Sequence, residues 1–182
     1  GVIATGVFGG LFLLTNEMEL SLISLSLMAS LLAFLYFNFH PAKIFMGDTG
    51  SLVIGFLLSV FAVHLVNTNV VIGDFSFEAK GSALAVAILI IPLYDALRVF
   101  VIRIFKGRSP ILPDRNHIHH ALANLGFGHQ RTTLYICLAN IFFIGLVVLL
   151  HPLGVNYIFL LILVLAIFLG QIPDFLKKKR EL

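Results

Sequence analysis

The stretch Ser82-Ala83-Leu84-Ala85-Val86-Ala87-Ile88-Leu89-Ile90-Ile91-Pro92-Leu93-Tyr94-Asp95-Ala96-Leu97-Arg98-Val99-Phe100-Val101-Ile102-Arg103-Ile104 decides the fold class. It is apolar over at least the ~20 residues a helix needs to cross hydrocarbon, and it lacks the two-residue alternation of a barrel strand. Five more apolar segments lie around it, at roughly 1–15, 20–37, 51–67, 132–150 and 155–172. The first is too short to span comfortably. Of 182 residues, 59% are hydrophobic and 12% charged, and the mean hydropathy is +1.04. A soluble core of this size cannot hide so much apolar surface. The expected fold is therefore all-α, a polytopic bundle of about six membrane helices that forms one membrane domain over 1–182. Secreted, nucleic-acid-binding and disordered classes are excluded. Cys137 is the sole cysteine, so no internal disulfide forms.

Charge sets the orientation. With Lys177-Lys178-Lys179-Arg180 in the cytoplasm, loops 38–50 and 105–131 are cytoplasmic too, and 11 of the 12 Lys and Arg lie on that side. Only Lys80 lies outside, among Glu17, Glu19, Asp74 and Glu78. The carboxyl terminus is expected in the cytoplasm. No basic n-region precedes the first apolar stretch, so no signal peptide is expected. The chain reads as the carboxyl-terminal part of something longer.

Two polar loops then share one side. The first runs Asn38-Phe39-His40-Pro41-Ala42-Lys43-Ile44-Phe45-Met46-Gly47-Asp48-Thr49-Gly50-Ser51. Gly47 and Gly50 let backbone N–H groups approach a ligand, and a helix amino terminus favours phosphate. Asp48 suits Mg²⁺, which takes a carboxylate together with phosphate oxygens and water. Lys43 supplies a cation. The competing reading is an N-cap, because Asp, Thr and Ser all cap well.

The second loop runs Lys106-Gly107-Arg108-Ser109-Pro110-Ile111-Leu112-Pro113-Asp114-Arg115-Asn116-His117-Ile118-His119-His120. Arg108 and Arg115 beside His117, His119 and His120 suit an anion, since Arg binds phosphate bidentately and His donates to it or titrates near neutrality. Zinc and a lipid-anchoring basic loop are the alternatives. Asp95 and Arg98, three apart on a helix, form either a structural pair or support for a site. His64, His129 and His151 carry no assigned role.

These loops resemble signatures of the polyprenyl-phosphate N-acetylhexosamine-1-phosphate transferases, the WecA/TagO branch related to MraY. The run from Pro92-Leu93-Tyr94-Asp95 through Gly107-Arg108-Ser109-Pro110 also matches, and the resemblance covers essentially the whole chain. It implies transfer of N-acetylhexosamine-1-phosphate, with GlcNAc the default sugar, from a UDP-N-acetylhexosamine to polyprenyl (undecaprenyl) phosphate with release of UMP. That is the first membrane step of cell-envelope polysaccharide synthesis, a class that includes cell-wall polymers and O-antigen lipopolysaccharide. By the same resemblance Asp48 is a catalytic Mg²⁺ ligand, with Mn²⁺ the alternate ion. Asn38 and Phe45 contact the uridine, Phe45 by stacking. His117, His119 and His120 are the further catalytic candidates and, with Arg115, border the nucleotide and phosphates, with Lys43, Gly47, Arg108 and Asp114 also in the substrate-binding set. The setting implied is the bacterial cytoplasmic membrane, with the active site facing the cytoplasm and a homodimer compatible with the bundle. Family members also carry an Asp-Asp pair and an Asp-Gly-Leu-Ala-Gly stretch upstream, and this chain shows neither. On that reading the chain alone is inactive. A transporter or channel and a non-catalytic membrane fragment are the remaining alternatives.

Overall fold

The computed structural model describes residues 1–39, 41–68, 70–72, 75–77, 81–105, 107 and 128–180. Among the described residues there are six helices: α1 Val2–Leu14, α2 Met18–Asn38, α3 Gly47–Asn67, α4 Gly81–Phe105, α5 His129–Leu149 and α6 Val155–Arg180. Between α3 and α4 lies a small antiparallel hairpin, β1 Val70–Ile72 with β2 Phe75–Phe77, paired Val70 to Phe77, Val71 to Ser76 and Ile72 to Phe75. The expected all-α polytopic bundle is present, and the hairpin is an addition within what reads as an outer loop. Among the described residues, five helices are long and apolar enough to cross a membrane, over Met18–Asn38, Gly47–Asn67, Gly81–Phe105, Gln130–Leu149 and Val155–Ile172. The 13-residue α1 is not, at about 20 Å against ~30 Å of hydrocarbon, as expected from its short apolar stretch. The protein is a multi-pass membrane protein.

Although short, α1 is deeply packed, with Phe8 and Phe12 fully buried. Its small residues explain how. Hydrocarbon gives helices no hydrophobic reason to associate, so close backbone approach and interhelical hydrogen bonds must hold them. Ser21 Oγ donates to the Gly9 carbonyl at 2.9 Å and Ser24 Oγ to the Thr5 carbonyl at 2.8 Å, both buried. A Cβ on Gly9 would stand 2.7 Å from Leu25 Cδ2, so only glycine permits this spacing.

The bundle has one closed end. There Phe61 packs edge-on against Phe12 at 5.8 Å between centroids and lies 5.9 Å from Phe8. His64 meets the Phe12 ring edge-on, and its Nε2 lies 3.4 Å from Glu17 Oε1. Val70 of the hairpin is fully buried against this cluster. Gly81 starts α4 directly against the Leu65 carbonyl, where any Cβ would collide with backbone. His64 is thus half-exposed beside Glu17 at the closed end, although its Nε2 is itself buried with no hydrogen-bond partner among the described residues.

Further along, α4 contains Pro92, which has no N–H to offer. The buried Asn140 of α5 donates Nδ2 to the carbonyls of Ile88 at 3.1 Å and Ala87 at 3.3 Å. Tyr94 Oη reaches the Ile167 carbonyl of α6 at 3.5 Å, and its ring fills the space a Cβ on Gly170 would need. The core is continuous through α1, α3, α4, α5 and α6.

Candidate functional site

Successive antiparallel helices bring the end of α2, the start of α3, the end of α4 and the start of α5 to the end opposite the hairpin. Both polar loops therefore begin and finish at this open end. The expected loop 38–51 is shorter here. Asn38 is the last residue of α2 and the connection runs over 39–46. Pro41 cannot continue a helix, and the Lys43 N–H turns back to the Phe37 carbonyl at 3.0 Å. The connection is thereby pinned to the last turn of α2.

Gly47-Asp48-Thr49-Gly50 lies in the first turn of α3, not ahead of the helix. Gly47 has φ +67°, a left-handed conformation that favours glycine, although a Cβ there would touch nothing. Conformation, not crowding, calls for glycine at this position. At Gly50 the reverse holds, because the Met46 side chain lies 2.6 Å from where its Cβ would be.

The capping alternative for Asp48 does not hold. The cap position is Met46, and no side chain bonds to the cap. Ser51 Oγ instead donates to the Asp48 carbonyl at 2.9 Å, within the helix. The Asp48 side chain is exposed, and among the described residues nothing pairs with it. A carboxylate in a first turn is favoured by the helix dipole. It is also free to meet a cation, and one carboxylate completed by phosphate oxygens and water fits Mg²⁺. No cluster of three or more His, Cys, Asp or Glu occurs among the described residues. The donor set offered there is thus one carboxylate, a set that a bound diphosphate and water would have to complete.

Beside Asp48, Phe45 is 91% exposed. Its ring is open for stacking. Lys43 is exposed and Asn38 half-buried at the same end. Asn38, Lys43, Phe45, Gly47 and Asp48 thus fall within one helix-to-helix turn.

On the α4 side, the helix stops at Phe105, and Gly107 takes φ +62° with its N–H bonded to the Ile104 carbonyl at 3.0 Å. A left-handed glycine past the last residue is a common helix stop. Arg108, Asp114, Arg115, His117, His119 and His120 lie outside the described residues. Helix α5 resumes at His129, so the loop expected over 105–131 is shortened at both edges, and Arg131 sits exposed in the first turn of α5. Asp95 and Arg98 are both half-buried, and both are engaged in interactions.

The family described as glycosyl transferase family 4 matches residues 1–66, which include α1, α2, the 39–46 turn and most of α3. A Bacillus subtilis protein named "Probable undecaprenyl-phosphate N-acetylglucosaminyl 1-phosphate transferase" is 34% identical over 152 residues, covering 84% of this chain and 40% of that protein. A decaprenyl-phosphate N-acetylglucosaminephosphotransferase of Mycolicibacterium smegmatis is 38% identical over 128 residues, covering 65% of this chain and 30% of that one. An undecaprenyl-phosphate alpha-N-acetylglucosaminyl 1-phosphate transferase of Yersinia pestis is 30% identical over 141 residues, covering 75% and 37%. The chain thus spans 30% to 40% of the length of these relatives. No solved structure matches it.

Proposed function

We propose, from the premise that this chain is a relative of the polyprenyl-phosphate N-acetylglucosamine-1-phosphate transferases, that its open end takes part in the same transfer. The observation that carries this reading is the 39–46 turn. With the first turn of α3 it presents a carboxylate that no described residue pairs with, an exposed ring, a lysine and a left-handed glycine, within the span that matches the family. The donor is a UDP-N-acetylhexosamine with GlcNAc as its sugar, the acceptor is undecaprenyl phosphate, and UMP leaves.

Each residue has a part that follows from its chemistry. Phe45 stacks on the uracil face and Asn38 hydrogen-bonds the uridine. Lys43 and the N–H groups at the start of α3 draw the diphosphate to the helix terminus. Arg108 and Arg115 have the chemistry to bind phosphate oxygens by paired hydrogen bonds, His117, His119 and His120 to donate to an anion, and Asp114 belongs to the same substrate-binding set. Asp48 would hold Mg²⁺, which when bound would supply charge neutralisation at the diphosphate. Catalysis of this kind is chiefly positioning and charge neutralisation. The acceptor phosphate approaches along the membrane interface, so its chain stays in hydrocarbon while the nucleotide stays in water. The Lys and Arg distribution supports placing this end at the cytoplasmic face of the bacterial inner membrane.

The test is UMP release from UDP-GlcNAc and undecaprenyl phosphate, with and without Mg²⁺. It is run on this chain and on a version joined to the upstream region of the Bacillus subtilis relative. Mg²⁺-dependent UMP release in the joined version, and none from this chain alone, is the expected result. Folded protein that is silent in both versions, across several UDP-N-acetylhexosamines, would sink the proposal.

A further inference from the structure

Pro92 leaves the carbonyl four residues before it, that of Ile88, without its helical donor. In the middle of a membrane-spanning helix no water replaces that donor, and an unpaired carbonyl there is costly. Asn140 of α5, only 8% exposed, supplies it. Its amide lies 3.1 Å from Ile88 O and 3.3 Å from Ala87 O, so the side chain clasps the two carbonyls that face the proline joint.

The joint divides α4 into unlike halves. Before it, Ala83, Leu84, Ala85, Ala87, Ile88 and Ile90 are buried. Beyond it, Leu97 is 60% and Phe105 86% exposed, and Asp95, Arg98 and Arg103 appear. The first half is packed along its length, whereas the second is held at Tyr94, against Gly170 of α6, and at the buried Val99. With so few anchors, the direction of the second half, which ends at the open end, depends also on the joint. We propose that Asn140 is a positioning residue. By holding the Ala87 and Ile88 carbonyls it fixes the helix at Pro92 and aims the half of α4 bearing Asp95, Arg98 and Arg103 toward the open end. Its effect on turnover rests on the transfer reading above, whereas its effect on geometry does not.

A buried Asn between membrane helices is otherwise simple glue, and the proline is what separates the two roles. The experiment uses Asn140→Leu, Pro92→Ala and the double variant. All are made in a Cys137→Ser background with spin labels at Leu52→Cys and Phe105→Cys, two exposed positions at the open end. Thermal unfolding and the label-to-label distance are measured on the chain, and UMP release on the version joined to its upstream region. Asn140→Leu is expected to lower the unfolding midpoint by about 5 °C and to broaden the distance distribution. Pro92→Ala returns an N–H to Ile88, so the double variant regains the midpoint while the distance settles at a new value. Turnover falls about 10- to 100-fold in both Asn140→Leu and the double variant, with KM for UDP-GlcNAc changed by less than about two-fold. A wild-type distance in Asn140→Leu overturns the proposal. So does a double variant that recovers wild-type distance and turnover, because stability alone would then explain the residue. If even the unsubstituted joined protein releases no UMP, the transfer reading falls and the joint is judged on the distances alone.

Discussion

The two ends of the bundle are built from the same residue types to opposite effect. On α3, Phe61 and Leu65 at the closed end are 1% and 0% exposed, whereas Leu52 and Phe56 toward the open end are 72% and 66% exposed. On α4, the turns before Pro92 are buried and Phe105 is 86% exposed. Apolar exposure along the span carries no penalty in lipid, which is as apolar as leucine. The informative exposure is at the terminus, where Phe45, Lys43 and Asp48 stand clear of the protein. The closed end spends its aromatic rings on holding helices together. The open end leaves Phe45, Lys43 and Asp48 exposed.

The largest effect is expected at the open end. Asp48→Asn in the joined protein should lower Mg²⁺-dependent UMP release by at least about 100-fold while the unfolding midpoint barely moves, since a first-turn carboxylate contributes only about 0.3–1 kcal/mol to its helix. An equal loss of folded protein would return Asp48 to a structural role. Next comes a matched pair on one helix. Phe61→Ala opens a cavity in the closed end and should cost about 2–4 kcal/mol in detergent unfolding, whereas Phe56→Ala should cost less than about 0.5 kcal/mol. Equal costs would erase the contrast between the ends. Gly47→Ala forces a side chain into a left-handed backbone and should cost about 1–2 kcal/mol, with weaker nucleotide binding measured by calorimetry. The smallest effect is expected at the ion pair of the closed end. Glu17→Gln should change stability by less than about 1 kcal/mol, because both partners are more than a third exposed. A larger loss would make that pair a principal clamp.

Much of the fold was legible because crossing hydrocarbon demands a length, and length is visible in sequence. The expected segments 20–37 and 155–172 fall almost on Met18–Asn38 and Val155–Ile172. The start of α3 was misplaced by four residues, because polar Gly47-Asp48-Thr49-Gly50 reads as loop although a first turn tolerates polar residues well. The hairpin was overlooked despite a short-range signal. Val70-Val71-Ile72 and Phe75-Ser76-Phe77 flank Gly73-Asp74, residue types that sequence rules associate with tight hairpins. Asn140 went unmarked because its partners are backbone carbonyls, which no side-chain letter advertises. Pro92 inside an apolar run was the available signal. At the candidate site, Asn38, Lys43, Phe45, Gly47 and Asp48 were read as one loop, whereas Asn38 ends α2, Gly47 and Asp48 open α3, and only Lys43 and Phe45 lie in the connection between them. The sequence left Asp48 between cap and ligand, a choice that depends on which residue takes the cap position.

The most direct measurement places the metal. Mn²⁺, standing in for Mg²⁺, is added with UDP to the protein carrying a single spin label at Leu52→Cys or at Val66→Cys, with Cys137→Ser. Leu52 is one turn from Asp48, and Val66 is about 20 Å further along α3. Strong relaxation of the Leu52 label, little effect at Val66, and loss of both in Asp48→Asn is the expected pattern. Relaxation that is equal at the two labels, stronger at Val66, or unchanged by Asp48→Asn would contradict an open end built to hold the nucleotide and its metal.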